Sequence, residues 1–327
     1  MIKAISVIIG LALTTVFLPA LPCHGAKYAG EFTYLGLGAR ALAMGGAYVS
    51  LAEDGFACYW NPAGTVKGEH QAAFMHSSTY GGMVNYDAAG YCRPVNGGGI
   101  GLVLFRLSVE DVPMTGDALI DLNHNGLMDP GERLDYAKIS FTSDNEWFLL
   151  ANYSRSLRWG LDAGGNLKLV YKSVGPNSAW GLGLDAGILA GLPWNLTAGL
   201  HVADLSTTYL AWDTGTRELI TPTARLGLSW RPRFGPGRQP LTLSGAADIR
   251  FEGRATSAQY RAGAASADLH AGIEYLVKQR LALRLGVDQS RFAAGAGLRL
   301  GRFGIDYAFL GSGELGNSTR ISGSIGF

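Results

Sequence analysis

Residues Thr319 to Phe327 alternate between apolar and polar side chains and end the chain on a phenylalanine. Successive side chains of a strand point to opposite faces. Ile321, Gly323, Ile325 and Phe327 therefore share one face, and Arg320, Ser322, Ser324 and Gly326 share the other. The pattern recurs upstream. Leu281, Leu283, Leu285 and Val287 oppose Arg284, Gly286 and Asp288. Phe303, Ile305, Tyr307 and Phe309 oppose Gly304, Asp306 and Ala308. Leu269, Ala271, Ile273, Tyr275 and Val277 oppose His270 and Glu274. A strand with lipid on one side and a polar lumen on the other takes this form, and its repetition predicts an all-β transmembrane antiparallel barrel.

The other end of the chain agrees. Residues 1 to 26 carry Lys3, an apolar core from Ala4 to about Leu18, Pro19, and the small residues Gly25 and Ala26, the layout of a cleavable secretory signal. The apolar stretch is shorter than the ~20 residues of a helical membrane span. Pro22 before Cys23 disfavours lipoprotein processing. No later run of 18 apolar residues exists, so any insertion into a membrane uses strands. The expected location is the outer membrane of a Gram-negative-type bacterium, with its lipids as the surrounding partner. A net charge of +1 offers no basic footprint for nucleic acid. Past the signal only Cys58 and Cys92 remain, in a compartment where a disulfide is permitted. The sequence leaves open whether they meet.

Alternation and turn residues place strands at about 70–78, 83–93, 98–109, 145–156, 160–173, 178–190, 194–203, 222–231, 240–251, 267–277, 279–288, 291–300, 302–310 and 319–327. Fourteen is even, which puts both ends of the barrel on the periplasmic side and leaves no strand edge in lipid. The connections at 94–97, 157–159, 191–193, 278 and 301 then fall on the periplasmic side and are short. The long ones, 110–144, 204–221, 252–266 and 311–318, fall outside, as in such barrels. The 232–239 connection, with Arg233 and Arg238, is longer than the other periplasmic turns. Arg225, Glu274, Arg284, Asp288, Arg299, Asp306 and Arg320 are expected to face the lumen.

Residues 27 to 69 differ from the rest. Gly38 to Tyr48 is rich in small residues, and Tyr59-Trp60 precedes the block Asn61-Pro62-Ala63-Gly64. Small residues permit close backbone packing and Asn-Pro favours a fixed turn. The segment reads either as a capped helix and loop before the first strand or as a compact plug inside the barrel.

These blocks, with Tyr86 to Pro94, Val109 to Pro113 and the Gly301 to Ala308 run, resemble the PorV/PorQ family of outer-membrane proteins within the wider FadL-type group. The resemblance spans most of the mature chain and implies a fourteen-stranded barrel whose N-terminal segment occupies the lumen. It also implies one of two roles. Proteins similar to PorV serve type IX secretion, accepting secreted cargo and passing it to secretion-system components. Proteins similar to FadL move hydrophobic molecules inward.

Asp121 to Glu132 matches the twelve-position calcium loop. Asp121, Asn123, Asn125, Leu127, Asp129 and Glu132 fill the ligand positions and Gly126 sits at the turn. Pro130 and Gly131 argue against a following helix. Two neutral Asn ligands lower the ligand charge, so Ca²⁺ binding is expected to be weak, ~10⁻⁴ to 10⁻³ M, and structural. The alternative is a polar surface turn.

Catalysis has no support. His70, His76, His124, His201 and His270 are scattered and no Gly-x-Ser-x-Gly element occurs. Two non-enzymatic readings remain: a secretion or assembly partner, contacting other envelope proteins through Tyr209, Leu210 and Trp212, and a channel for a hydrophobic ligand.

Overall fold

The computed structural model describes residues 29–79, 82–233, 240–251, 258–311 and 316–327. The signal region 1–26 and residues 234–239 of the eighth-to-ninth connection lie outside them. Fourteen long strands form the wall: β1 (Gln71–Thr79), β2 (Val84–Val95), β3 (Gly98–Met114), β4 (Ser140–Ser156), β5 (Leu161–Val174), β6 (Asn177–Leu192), β7 (Leu196–Ala203), β8 (Thr223–Trp230), β9 (Leu241–Arg250), β10 (Ala265–Val277), β11 (Leu281–Asp288), β12 (Arg291–Leu300), β13 (Phe303–Leu310) and β14 (Ser318–Gly326). Each pairs antiparallel with the next, and β1 pairs with β14 from Gln71 opposite Gly326 to His76 opposite Ile321, closing the barrel. Among the described residues no helix is long and apolar enough to cross a membrane.

The wall is inverted relative to a soluble protein. On β11, Leu283, Leu285 and Val287 point outward and are about half exposed, while Arg284 points inward and is buried. Leu182, Leu184, Leu228, Leu269, Ile305 and Ile321 extend the same outer surface around the barrel. A continuous apolar face of this kind suits hydrocarbon and would aggregate in water. Trp159, Trp194, Phe303 and Phe327 ring the end that carries the C terminus, an aromatic girdle of the kind found at a membrane interface.

The turns at that end are tight for a local reason. Trp159-Gly160, Trp194-Asn195 and Lys278-Gln279 each place two consecutive residues at positive φ. That backbone twist matches the right-handed twist of the strands it joins.

Two expectations are corrected here. The strands flanking the long loop run further than the alternation showed, so the loop is 115–139 and not 110–144. A bulge between Val109 and Val112, with Asp111 at φ 57°, breaks the period of two before pairing resumes at Val112 opposite Thr142. The 204–221 connection is not a plain loop. It contains a hairpin, Thr208–Trp212 against Arg217–Ile220, whose first strand pairs with β6 from Tyr209 opposite Leu182 to Trp212 opposite Ala179. Leu210 and Ile220 are buried beneath it, so Leu210 is unavailable to a partner, whereas Tyr209 remains exposed.

The packed core lies inside the barrel. Phe105 stacks on Phe148 at 4.9 Å, Phe148 on Tyr59 at 6.0 Å, and Tyr59 meets Trp60 edge-on at 5.2 Å. Tyr59 and Trp60 belong to the segment before β1, so this core joins that segment to the wall.

Candidate functional site

Residues 29 to 69 fold into short pieces: a 3₁₀ turn (Glu31–Tyr34), α1 (Ala39–Ala43), α2 (Ala57–Trp60) and a second 3₁₀ turn (Pro62–Val66). None would be stable alone, because short helices bury too little. They are held by the wall on all sides. Gly90, Gly99, Gly164, Gly187, Gly199, Gly272 and Gly286 stand on seven strands. A Cβ at any of them would lie 2.1–2.7 Å from an atom of the segment. Nothing larger than glycine fits, so at six of them backbone packs against backbone and at Gly187 the wall backbone packs against the Asn61 side chain.

The Asn61-Pro62-Ala63-Gly64 block is a joint in this packing. Asn61 Oδ1 accepts from Ala63 N at 3.0 Å and caps the second 3₁₀ turn, with Pro62 at its first position. Asn61 Nδ2 faces the carbonyls of Val49, Ile188 and Leu200 at 3.1–3.3 Å, joining the segment to β6 and β7. Pro62 O accepts from Asn152 Nδ2 at 3.0 Å. Ala63 is fully buried, and a Cβ on Gly64 would meet Ala52 O at 2.2 Å.

A chain of alternating charge crosses the lumen beside it. Arg284 Nη1 donates to Asp306 at 2.6 Å, and Arg284 Nε to Glu274 at 2.6 Å. Arg40 of α1 grips the same Glu274 through Nε and Nη2 at 3.0 and 2.8 Å. Arg40 also reaches Glu53 at 3.3 Å, which in turn accepts from Arg231 at 2.5 Å. Burial alone would raise the Glu53 carboxyl, but Arg40 and Arg231 outweigh it and hold it below the usual carboxylate range. Burial pushes the neighbouring Asp54 carboxyl up, against the opposing pull of Arg40 and the Tyr48 hydroxyl.

Toward the opposite end of the barrel from the C terminus lies a cavity of about 450 Å³. Tyr34, Trp60, Tyr86 and Phe292 give it aromatic surface, and Leu35, Leu42 and Leu310 add aliphatic surface. Four guanidinium groups, Arg225, Arg250, Arg291 and Arg320, and four carboxylates, Glu31, Asp248, Asp268 and Asp288, share its walls. Arg225 pairs with Asp248 at 3.3 Å and lies within 5.7 Å of the ring centres of Tyr34, Tyr59 and Trp60. Arg250 stacks on Tyr34 at 4.2 Å. Asp288 meets His270 at 3.1 Å and Arg291 at 3.0 Å. Arg320 covers the Tyr86 ring and donates to Ser77 Oγ across the β1–β14 seam.

Of the residues expected in the lumen, Glu274, Arg284 and Asp306 meet in the charge chain. Arg225, Asp288 and Arg320 line the cavity. Arg299 stands apart at the other rim, exposed, where it pairs with Glu69 at 3.2 Å. Sequence reasoning missed Arg40 and Glu53. It also missed a second buried cluster, Lys168 with Asp185 at 2.9 Å and Asp204 at 2.8 Å. Lys168 was signalled by its place between outward Leu167 and Leu169 on β5. Cys58 and Cys92 are both buried and both free, so no disulfide joins them.

The 121–132 loop is bracketed by a two-residue ladder, Leu119–Ile120 against Arg133–Leu134. Asp121 accepts from Gly126 N at 2.7 Å, and Glu132 accepts from Leu122 N and Asp129 N at 2.8 and 2.9 Å. The backbone bond from Gly126 leads the effects that hold the Asp121 carboxyl below its usual range. Asn123 and Asn125 turn their amide N–H groups to Asp129, at 2.6 and 2.7 Å. A cation there needs those amides rotated, and no three His, Cys, Asp or Glu side chains among the described residues are grouped to hold a metal.

No protein-family model matches the chain, and a search of curated proteins by sequence finds no match. Solved structures do match in fold. The Ralstonia pickettii toluene transporter TbuX aligns over 89% of this chain and 98% of its own, with 13% identity and a TM-score of 0.55. The CymD monoaromatic hydrocarbon channel covers the same shares at 11% identity and a TM-score of 0.58. A Pseudomonas aeruginosa FadL homologue covers 85% and 95% at 12% identity and a TM-score of 0.51. The chain therefore shares the closed fourteen-stranded antiparallel barrel fold of these proteins.

Proposed function

We propose that this protein is a non-enzymatic outer-membrane channel through which small hydrophobic molecules pass. The observation that carries the reading is the lumen itself: a folded N-terminal segment fills it, leaving on the side away from the C terminus a cavity of about 450 Å³ whose wall mixes aromatic and aliphatic side chains with paired guanidinium and carboxylate groups. That volume suits a small ligand, and aromatic rings offer apolar contact without needing a polar partner. The fold is shared with proteins described as toluene and monoaromatic hydrocarbon channels. The secretion-partner reading, with cargo or type IX components held at the rim, draws no support from these comparisons, and burial of Leu210 weakens the surface it relied on.

The test is initial uptake of labelled toluene by cells producing the protein, the same cells without it, and cells producing Ala293→Phe. Ala293 is buried in the cavity wall, so the larger ring fills the space. Production should speed uptake and the variant should return it to the background. Equal rates in all three would remove the transport reading.

For the 121–132 loop we propose a structural calcium role, resting on the closure of the loop by Glu132 and the ligand order of the motif. Rotation of the Asn123 and Asn125 amides would place their oxygens with those of Asp121, Asp129 and Glu132 and the Leu127 carbonyl. Titration with Tb³⁺ should give sensitised luminescence that Ca²⁺ displaces in the ~10⁻⁴ to 10⁻³ M range and Glu132→Gln abolishes. Luminescence unchanged in that variant would make the loop a plain turn.

A further inference from the structure

Polar and charged side chains stand on the outer face of the wall at a depth where lipid tails should lie. Phe327 N donates to His70 O at 2.9 Å and the two rings lie 4.9 Å apart, which ties the start of β1 to the aromatic girdle. His76 is five residues further along β1 than Gln71. At about 3.3 Å per residue and a tilt of about 40°, that lifts it by about 12 Å, half of an apolar band about 25 Å tall. Its side chain faces outward and is 64% exposed. Asp87 of β2 meets His76 Nδ1 with its Oδ1 at 2.7 Å, so it stands at the same depth, and it is 46% exposed. Arg106 of β3 lies directly opposite Asp87. Charge facing hydrocarbon is costly, and ionisable groups at such depth are found paired and turned toward protein.

Asp87 and Arg106 do not satisfy each other. Arg106 gives Nε and Nη2 to Asn145 Oδ1 at 3.1 and 2.6 Å and rests over the Trp147 ring at 5.3 Å, turned toward β4. Asp87 is turned the other way, toward β1. Among the described residues no ion pair joins the two, and Asp87 Oδ2 and Arg106 Nη1 make no hydrogen bond. The wall therefore presents one negative and one positive group side by side, each with capacity left over. Beside them is a groove of about 580 Å³ bordered by Phe74, Leu104 and Ile321, with Ala89 and Gly323 in its lining. Within lipid, close packing and polar pairing drive association, and small residues let two surfaces approach.

We propose that this face is the interface of a homodimer, its occupant a second copy of the chain. Both copies insert in one orientation, so the two-fold axis runs along the membrane normal. An axis passing between Asp87 and Arg106 exchanges left and right and preserves depth. It sets Asp87 of each copy against Arg106 of the other. Two ion pairs then form, Nη1 donating to Oδ2, and four charged groups leave the lipid. A partner of another sequence needs the inverse charge order at the same spacing and depth, whereas a second copy supplies it by symmetry alone. The two grooves close over each other below the pairs.

The experiment is sedimentation equilibrium of the folded protein, extracted from its outer membrane into a density-matched detergent. The parent should sediment as a dimer. Asp87→Arg and Arg106→Asp each set like charges against each other and should raise the dissociation constant at least about a hundredfold, leaving monomers. An equimolar mixture of these two variants should return to dimers, because each supplies the charges that the other lacks. A role confined to one barrel gives no such rescue. Gly323→Leu covers the case in which a charge reversal loses the heat-modifiable gel mobility of a folded barrel. A Cβ at Gly323 meets nothing within 4 Å, so the side chain stands in the groove without disturbing the wall, and this variant too should be monomeric. A monomeric parent, single reversals that dimerise as the parent does, a mixture that stays monomeric, a Gly323→Leu dimer as tight as the parent's, or a different protein held at this face in the extract would each overturn the proposal.

Discussion

Asn61 and Gly187 are fitted to each other across the lumen: a Cβ on Gly187 of β6 would stand 2.2 Å from Asn61 Oδ1, the atom that caps the turn following it. The Asn61 amide then bonds the carbonyl of Ile188, the next residue along β6. Asn61→Ala strips a cap and leaves buried carbonyls unmet, at a cost of about 1–3 kcal/mol. Gly187→Ala should do comparable harm from the other side. Both should raise single-channel conductance in planar bilayers and expose residues 45–66 to hydrogen exchange. Unchanged conductance and protection would show that the joint does not hold the segment.

Arg40 has two acidic partners, of which Glu274 keeps Arg284 and Glu53 keeps Arg231 when Arg40 is removed. Arg40→Leu should therefore destabilise by less than the roughly 3–5 kcal/mol of a fully orphaned buried charge. Glu274→Gln should cost more, since two arginines lose their shared carboxylate. Urea unfolding of both variants, followed by tryptophan fluorescence, checks the order. The reverse ranking would show that Arg284 carries little of the load.

Acid should loosen the segment through Glu53. Its carboxyl is held below the usual range in the fold, so its contribution is fully present above its unfolded value, near pH 4.3, and is lost as pH falls through the folded one. Hydrogen exchange at residues 47–55, corrected for intrinsic rates, should quicken on going from pH 5 to pH 3. Glu53→Gln should flatten part of that dependence. A variant with the same acid response as the parent would assign the effect elsewhere.

Burial drives the Cys58 thiol far above its ordinary range, and the side chain is almost wholly enclosed. The thiolate is the nucleophile, so Cys58 should resist iodoacetamide at pH 8 in the folded barrel and react after denaturation. Peptide mass mapping of the alkylated site reads this directly. Labelling of the native protein at the rate of a free thiol would mean that the segment opens in solution.

The wall was legible because its signal is local. A period of two needs only neighbouring residues, and Leu281 to Asp288 displays it in eight. The bulge at Asp111 hid the upper parts of β3 and β4, since one extra residue moves every later side chain to the other face. The hairpin around Leu210 was hidden by its length, too short to establish a period. The lumen was only half legible. Parity placed Glu274 and Arg284 inside, but Arg40 meets Glu274 across 234 residues of sequence, and no local pattern records such a pairing. The inward glycines were visible only as an unusual abundance.

Those glycines give the barrel an inner surface that it does not own. Along seven strands the wall ends in bare backbone where the N-terminal segment touches it. Deleting residues 29–69 would not unstop a pipe. It would strip the lining from one, leaving peptide groups of β2, β3, β5, β6, β7, β10 and β11 facing a void shaped for another stretch of the same chain.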